Sequence, residues 1–247
     1  MTNFYEIHGG NNPKTIVMIH GAGVTCAWLN PQTMELSKEY RVIALDLPGH
    51  GTLAGERFSM EASLERLKSL FEAEIPDHAI LMGVSLGGYL AINFAHLYPE
   101  RVSGLILCGS SINMSGLTGI SFKLTGFLLK RKGADWLKEV TVASYRKRVA
   151  AEIIEPIIEA GFFAEAAVDA FFQTSGINFH KMLKAYSGPI LVANGEKDEV
   201  NRKAEPALAK VVPHAQFSPI SEASHLTNLE QPEEFNRVVT DFLKKLN

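Results

Sequence analysis

Short uninterrupted apolar runs alternate along this chain with longer stretches in which apolar residues return every third or fourth position. The runs are Ile16-Val17-Met18-Ile19, the stretch from Arg41 to Leu45, Ala79-Ile80-Leu81-Met82, Val102 to Cys108, and Pro189 to Ala193. Short apolar runs without polar alternation predict strands covered on both faces. Met60, Leu64, Leu67 and Phe71 recur at helical spacing, and Ser59 stands where it can cap that helix. Tyr89 to Ala95 reads as a buried helix, and Ala204, Leu208 and Val211 suit another. Phe235, Val238, Val239, Phe242 and Leu246 mark the inner face of a closing helix with Pro232 in its first turn. Phe4 to Ile7 predicts a short edge strand, and Ala215 to Ile220 a last one. Strands alternating with helices predict an α/β fold, a mostly parallel sheet with helices on both faces.

From about Ile112 to Tyr186 the rhythm changes to helical patterns without a clear strand. Aromatics concentrate there: Phe122, Phe127, Trp136, Phe162, Phe163, Phe171, Phe172 and Phe179. Two basic triplets, Lys130-Arg131-Lys132 and Arg146-Lys147-Arg148, read as solvated faces. The 247 residues suit one domain, its core formed by 1–111 and 187–247 and a helical insertion lying at about 112–186.

A chain 46% hydrophobic and 21% charged is ordinary for a protein that buries a sizeable core. Its formal net charge of -3 gives no reason to expect nucleic acid or an anionic membrane surface as partner. Cys26 and Cys108, the only cysteines, form neither a disulfide framework nor a metal cluster pattern, which predicts a cytoplasmic protein. Met1 to Gly10 lacks the basic start and apolar stretch of a signal peptide. His78 to Pro99 holds no Asp, Glu, Lys or Arg and is long enough to span a bilayer. Gly83, Ser85, Gly87, Gly88, Asn93 and His96 interrupt it, however, and a buried strand followed by a buried helix explains the same residues.

That interruption carries the candidate chemistry. Gly83-Val84-Ser85-Leu86-Gly87-Gly88 lies between an apolar strand and an apolar helix, the setting of a nucleophile elbow. The turn strains the serine, and small flanking residues let strand and helix approach. Ser85 would then stand clear of the sheet, with the Leu86 amide aimed where an oxyanion forms. After the strand at Ile16, His20-Gly21-Ala22-Gly23 is small enough to turn a second backbone N–H toward the same place. Ala22 is the candidate donor and Gly23 the alternative. His20 reads as a brace of this loop, and His50, between glycines in Asp46-Leu47-Pro48-Gly49-His50-Gly51, as structural. His8, His78, His96, His180 and His214 are scattered without metal-ligand spacing, and no dinucleotide fingerprint opens the first unit, so neither metal nor cofactor is expected.

His20-Gly21-Ala22-Gly23, Asp46 to Gly51 and Gly83 to Gly88, in that order, resemble the α/β-hydrolase superfamily, and within it small single-domain esterases, enol-lactonases and cofactor-free haloperoxidase-like enzymes. The resemblance covers about Thr15 to Ile112 and Pro189 to the C-terminus. It implies a catalytic acid in Asn194-Gly195-Glu196-Lys197-Asp198, where Asp198 is the choice and Glu196 the runner-up. Relatives that place the acid after the Val102 strand are excluded, since no Asp or Glu lies between Gly104 and Leu117. It implies His225 as the base, although Ser224 stands where the family more usually has Gly. The insertion corresponds to a cap over the site, and Phe162 and Phe171 are its candidates for substrate contact.

Ser85, Asp198 and His225 follow the chain order that α/β-hydrolases use. The expectation is a serine hydrolase of a small carboxylic ester, lactone or thioester with an apolar acyl or alkyl group. Serine at the elbow disfavours epoxide hydrolase and dehalogenase chemistry, which uses aspartate there. Carbon–carbon bond hydrolysis and perhydrolysis remain open on the same triad, and a ligand receptor without turnover is the rival outside enzymes. Oligomeric state is not legible.

Overall fold

In the computed structural model, which describes residues 4–246, the apolar runs become strands of one sheet. The strands are β1 (Tyr5–His8), β2 (Thr15–Ile19), β3 (Arg41–Leu45), β4 (Ala79–Val84), β5 (Val102–Cys108), β6 (Ile190–Val192) and β7 (Gln216–Phe217). The helices are α1 (Asn30–Leu36), α2 (Met60–Glu74), α3 (Leu86–Leu97), α4 (Gly116–Lys132), α5 (Ala134–Arg146), α6 (Ala151–Glu159), α7 (Ala164–Thr174), α8 (Phe179–Lys184), α9 (Glu199–Val211), α10 (Thr227–Glu230) and α11 (Pro232–Leu243). Strand order is β1-β3-β2-β4-β5-β6-β7, with β1 antiparallel to β3 and the other pairs parallel.

Alternation along each central strand feeds two cores, because successive side chains point to opposite faces. Val17 and Ile19 of β2 join Leu81 of β4 and Phe71 and Phe94 from α2 and α3. Ile16 and Met18 join Met82, Trp28 and the Phe235, Val239 and Phe242 face of α11 on the other side. Ser59 caps α2 as expected, its hydroxyl accepting from the Ala62 amide at 3.0 Å. The charge-free stretch from His78 becomes β4 and α3. Among the described residues no helix is long and apolar enough to cross a membrane.

The last strand is shorter than its apolar residues suggest. Only Gln216 and Phe217 pair regularly with β6, followed by a single bridge between Gly195 and Ile220. Pro219 lies between and has no N–H to give the ladder. Five helices, α4 to α8, intervene between β5 and β6, and they are not one layer. α4 and α7 pack together, whereas α8 lies against α3, with Phe179 buried and its ring 4.6 Å from that of Tyr89. Phe179 and Leu183 bury into the main core, so α8 packs with α3 and not with α4 to α7.

Candidate active site

Ser85 sits between β4 and α3 with φ 52° and ψ -113°, a left-handed conformation rare for a residue with a Cβ. Such a residue costs about 1–3 kcal/mol and persists only where its surroundings enforce it. Here they do. A Cβ on Gly83 would lie 2.4 Å from the Gly87 backbone, and one on Gly87 would lie 2.2 Å from the Ile19 carbonyl oxygen. The Ser85 amide donates to the Cys108 carbonyl at 2.7 Å, and its own carbonyl accepts from the Ser110 hydroxyl at 2.9 Å. Strand end and serine are thereby clamped to the end of β5.

The loops after β6 and β7 bring two more groups to that point. His225 Nε2 lies 3.2 Å from Ser85 Oγ, and His225 Nδ1 lies 2.8 Å from Asp198 Oδ2. A carboxylate facing Nδ1 fixes the proton on that nitrogen and leaves Nε2 free to accept from the serine. Asp198 caps α9 and is buried, and Asn201 donates to it from both backbone (3.3 Å) and side chain (2.8 Å). Burial pushes the Asp198 carboxyl up, but His225 and Asn201 together outweigh it and hold the pKa below the ordinary value. Glu196 is exposed, and it is the Asp198 carboxylate that meets the imidazole.

Ala22 and Leu86 both line the cavity above Ser85, and among the described residues neither amide is paired. Gly23 is placed otherwise, since its N–H donates to His50 Nε2 at 2.9 Å. His50 in turn donates from Nδ1 to the Pro48 carbonyl at 3.0 Å. His20 does the same for the neighbouring loop, accepting from the Leu47 amide at 3.1 Å and donating to the Gly21 carbonyl at 2.7 Å. Burial is the main cause that lowers both pKa values, that of His50 to about 3. Both imidazoles are neutral braces that shape the backbone around Ala22.

A cavity of about 330 Å³ opens over Ser85, walled by Tyr89, Ile112, Met114, Phe122 and Phe171, with no Lys or Arg in its lining. Phe122 of α4 and Phe171 of α7 stack there with centroids 5.7 Å apart. Phe162, paired with Phe171 as a candidate contact, is elsewhere. Its ring packs on Gly23 and Ala167, close enough that a Cβ on Gly23 would lie 2.9 Å from it. The residue wedges between α7 and the Ala22 loop, so it supports that loop from outside the cavity.

Residues 16–238 match the model of the alpha/beta hydrolase family. The chain belongs to this family. Over 96% of its length this hydrolase is 27% identical to a Bacillus subtilis protein named, with reservation, 2-succinyl-6-hydroxy-2,4-cyclohexadiene-1-carboxylate synthase, 93% of which is covered. It is 29% identical to 2-hydroxy-6-oxo-2,4-heptadienoate hydrolase of Pseudomonas putida, covering 98% of this chain and 92% of that one. Among solved structures, a thermophilic esterase from Thermogutta terrifontis superposes with a TM-score of 0.82 at 27% identity, covering 98% and 93% of the two chains.

Several groups of the hydrolase site carry no signature in sequence. Gly109, with φ 67°, forms the floor under the imidazole. Asn194 accepts from the Gly109 amide at 2.7 Å and donates to Ser111 Oγ and Glu205 Oε1 at 2.8 and 2.7 Å. Asn201, besides holding Asp198, accepts from the Ser111 amide at 2.8 Å. Only a glycine closing an apolar strand and an asparagine three residues after Asp198 hinted at these roles. Ser224, the departure before His225, is absorbed locally. Its amide and hydroxyl donate to Glu230 at 2.5 and 2.6 Å, and Arg148 donates to the hydroxyl at 3.0 Å. The second basic triplet is thus not wholly solvated, because Arg148 ties the α5–α6 connection to the histidine loop.

Proposed function

We propose that the protein is a serine hydrolase that cleaves a small carboxylic ester, lactone or thioester with an apolar acyl or alkyl group. The observation that carries this reading is the line Ser85 Oγ, His225, Asp198 at 3.2 and 2.8 Å beneath an apolar cavity. A serine hydroxyl is a weak nucleophile unless a base stands within hydrogen-bond reach. His225 Nε2 takes the Ser85 proton as Oγ adds to the carbonyl carbon, and the Leu86 and Ala22 amides hold the resulting oxyanion. The imidazolium returns the proton to the leaving oxygen or sulfur, giving the acyl-enzyme. Water, activated by the same His225, releases the acid and restores Ser85. Asp198 holds the tautomer and stabilises the imidazolium throughout. The helices α4 to α7 serve as the cap, with Phe122 and Phe171 against the substrate. Cys26 and Cys108 are both free thiols, which suits a cytoplasmic setting.

Carbon–carbon bond hydrolysis is the second reading, favoured by the name of the Pseudomonas putida relative. A dienoate substrate carries a carboxylate, and the lining of this cavity offers no Lys or Arg to receive one. Esters without a free carboxylate fit it better. A fluorophosphonate probe should label the protein once, at Ser85, and labelling that survived Ser85→Ala would sink the assignment. Turnover of a p-nitrophenyl ester panel set against a 2-hydroxy-6-oxo-dienoate separates the two chemistries.

A further inference from the structure

The net charge of -3 conceals a helix with the opposite balance. α4 contains Lys123, Lys130, Arg131 and Lys132 and no carboxylate. Its buried side rests on small residues, Gly119 against the Met114 carbonyl and the Gly176 amide, and Gly126 against Phe171 and Phe172 of α7. The opposite side is apolar and open. Leu117, Ile120, Leu124, Phe127 and Leu128, spaced three, four, three and one apart, form one stripe, and each is more than half exposed. Among the described residues, exposed large hydrophobics gather on this helix as nowhere else on the molecule. On the helical wheel Lys123 and Lys130 border one edge of the stripe and Lys132 the other, while Arg131 ends it.

We propose that α4 is an interfacial helix that lies flat on an anionic lipid bilayer, its stripe among the acyl chains and its cations at the headgroups. An apolar face edged by Lys and Arg on a helix without acids is what such a surface selects. At roughly 1.5 Å per residue its 17 residues give a contact about 25 Å long. Charge argues against a second copy of this chain as the occupant, because two such helices face to face would bring eight cations together with no carboxylate on either. The opposite side of the same helix sends Phe122 into the active-site cavity, where Ile112 and Met114 precede α4 along the wall. A bilayer beneath α4 is thereby placed beside the cavity that would take its substrate. This last consequence rests on the serine hydrolase reading, and the docking itself does not.

The test is co-sedimentation with vesicles of phosphatidylcholine alone and of phosphatidylcholine with phosphatidylglycerol, using the Ser85→Ala protein so that turnover plays no part. Binding to the anionic vesicles should exceed that to the neutral ones by at least about tenfold and fall as salt shortens the screening length. Ile120→Asp with Leu124→Asp should abolish it. Both positions lie on the open face outside the cavity, so in the Ser85 background the double variant should keep its melting temperature and its turnover of a soluble ester. Absence of binding to anionic vesicles overturns the proposal, as does binding undiminished in the double variant. A concentration-dependent dimer that the double variant abolishes, without vesicle binding, overturns it and assigns the face to a second copy. Vesicle binding with no fluorophosphonate labelling of the unmodified protein would retain the docking surface and reject the hydrolase reading.

Discussion

Gly109 and His225 are packed so closely that a Cβ on the glycine would lie 2.7 Å from the imidazole Cε1. The glycine also has φ 67°, so a side chain there is strained as well as obstructed. Gly109→Ala should leave the sheet intact but push the ring away from Ser85. A misplacement of about 1 Å can cost roughly 10²-fold in rate, and kcat/KM for a soluble ester should fall by about that much. Fluorophosphonate labelling should slow in step while circular dichroism stays unchanged. Wild-type kinetics in this variant would mean that the floor has no part in holding the base.

The acid assignment separates two residues that lie two positions apart. Asp198→Asn should lower kcat by up to about 10⁴-fold, because an amide facing Nδ1 permits the wrong tautomer. Glu196→Gln, at an exposed site, should alter it by less than about tenfold, or 1.4 kcal/mol of barrier. Steady-state kinetics on one ester decides between them, and reversed effects would transfer the role to Glu196.

Much of this geometry could be read before folding because it rests on local rules. An apolar run ending in small residues states where a strand stops, and Gly83, Gly87 and Gly88 state that two elements must approach there. The strand and helix flanking Ser85 were therefore legible to within three residues. What could not be read depends on distant pairings. Asn194 and Ser111 meet only because β5 and β6 are neighbours in the sheet. Phe162 and Phe171 look alike in sequence, yet one faces the cavity and the other the Ala22 loop, since a turn of chain and the start of α7 separate them. The burial of α8 in the main core was hidden for the same reason, because Phe179, its first residue, packs on Tyr89 of α3.

Acid should weaken the fold partly through Asp198. Its folded pKa is below the ordinary value, so its contribution to stability is fully present above the unfolded pKa of about 3.9. That contribution is lost as pH falls through the lower, folded value. Urea unfolding of the wild type and of Asp198→Asn, compared from pH 5 downward, should show a difference that shrinks below about pH 4. Its slope there should not exceed about 1.4 kcal/mol per pH unit, the limit for one proton. A difference that grew on acidification would show that burial, not the His225 contact, governs this carboxyl.

Chain-length preference should be set by Phe122 and Phe171 and not by Phe162. The first two wall a cavity of about 330 Å³, enough for a short or medium acyl chain, between α4 and α7. Each added methylene gains about 1–3 kcal/mol in such a pocket until the chain meets the roof, so kcat/KM should climb from acetate and then fall. Phe122→Ala or Phe171→Ala removes one of two stacked rings and should move the optimum to longer p-nitrophenyl esters while labelling of Ser85 persists. Phe162→Ala should act differently. It leaves space beside Gly23, loosens the loop that carries Ala22, and should lower kcat for every ester alike without shifting the optimum. A shift with Phe162→Ala and none with the other two would place the acyl chain on the opposite side of the roof, against the Ala22 loop.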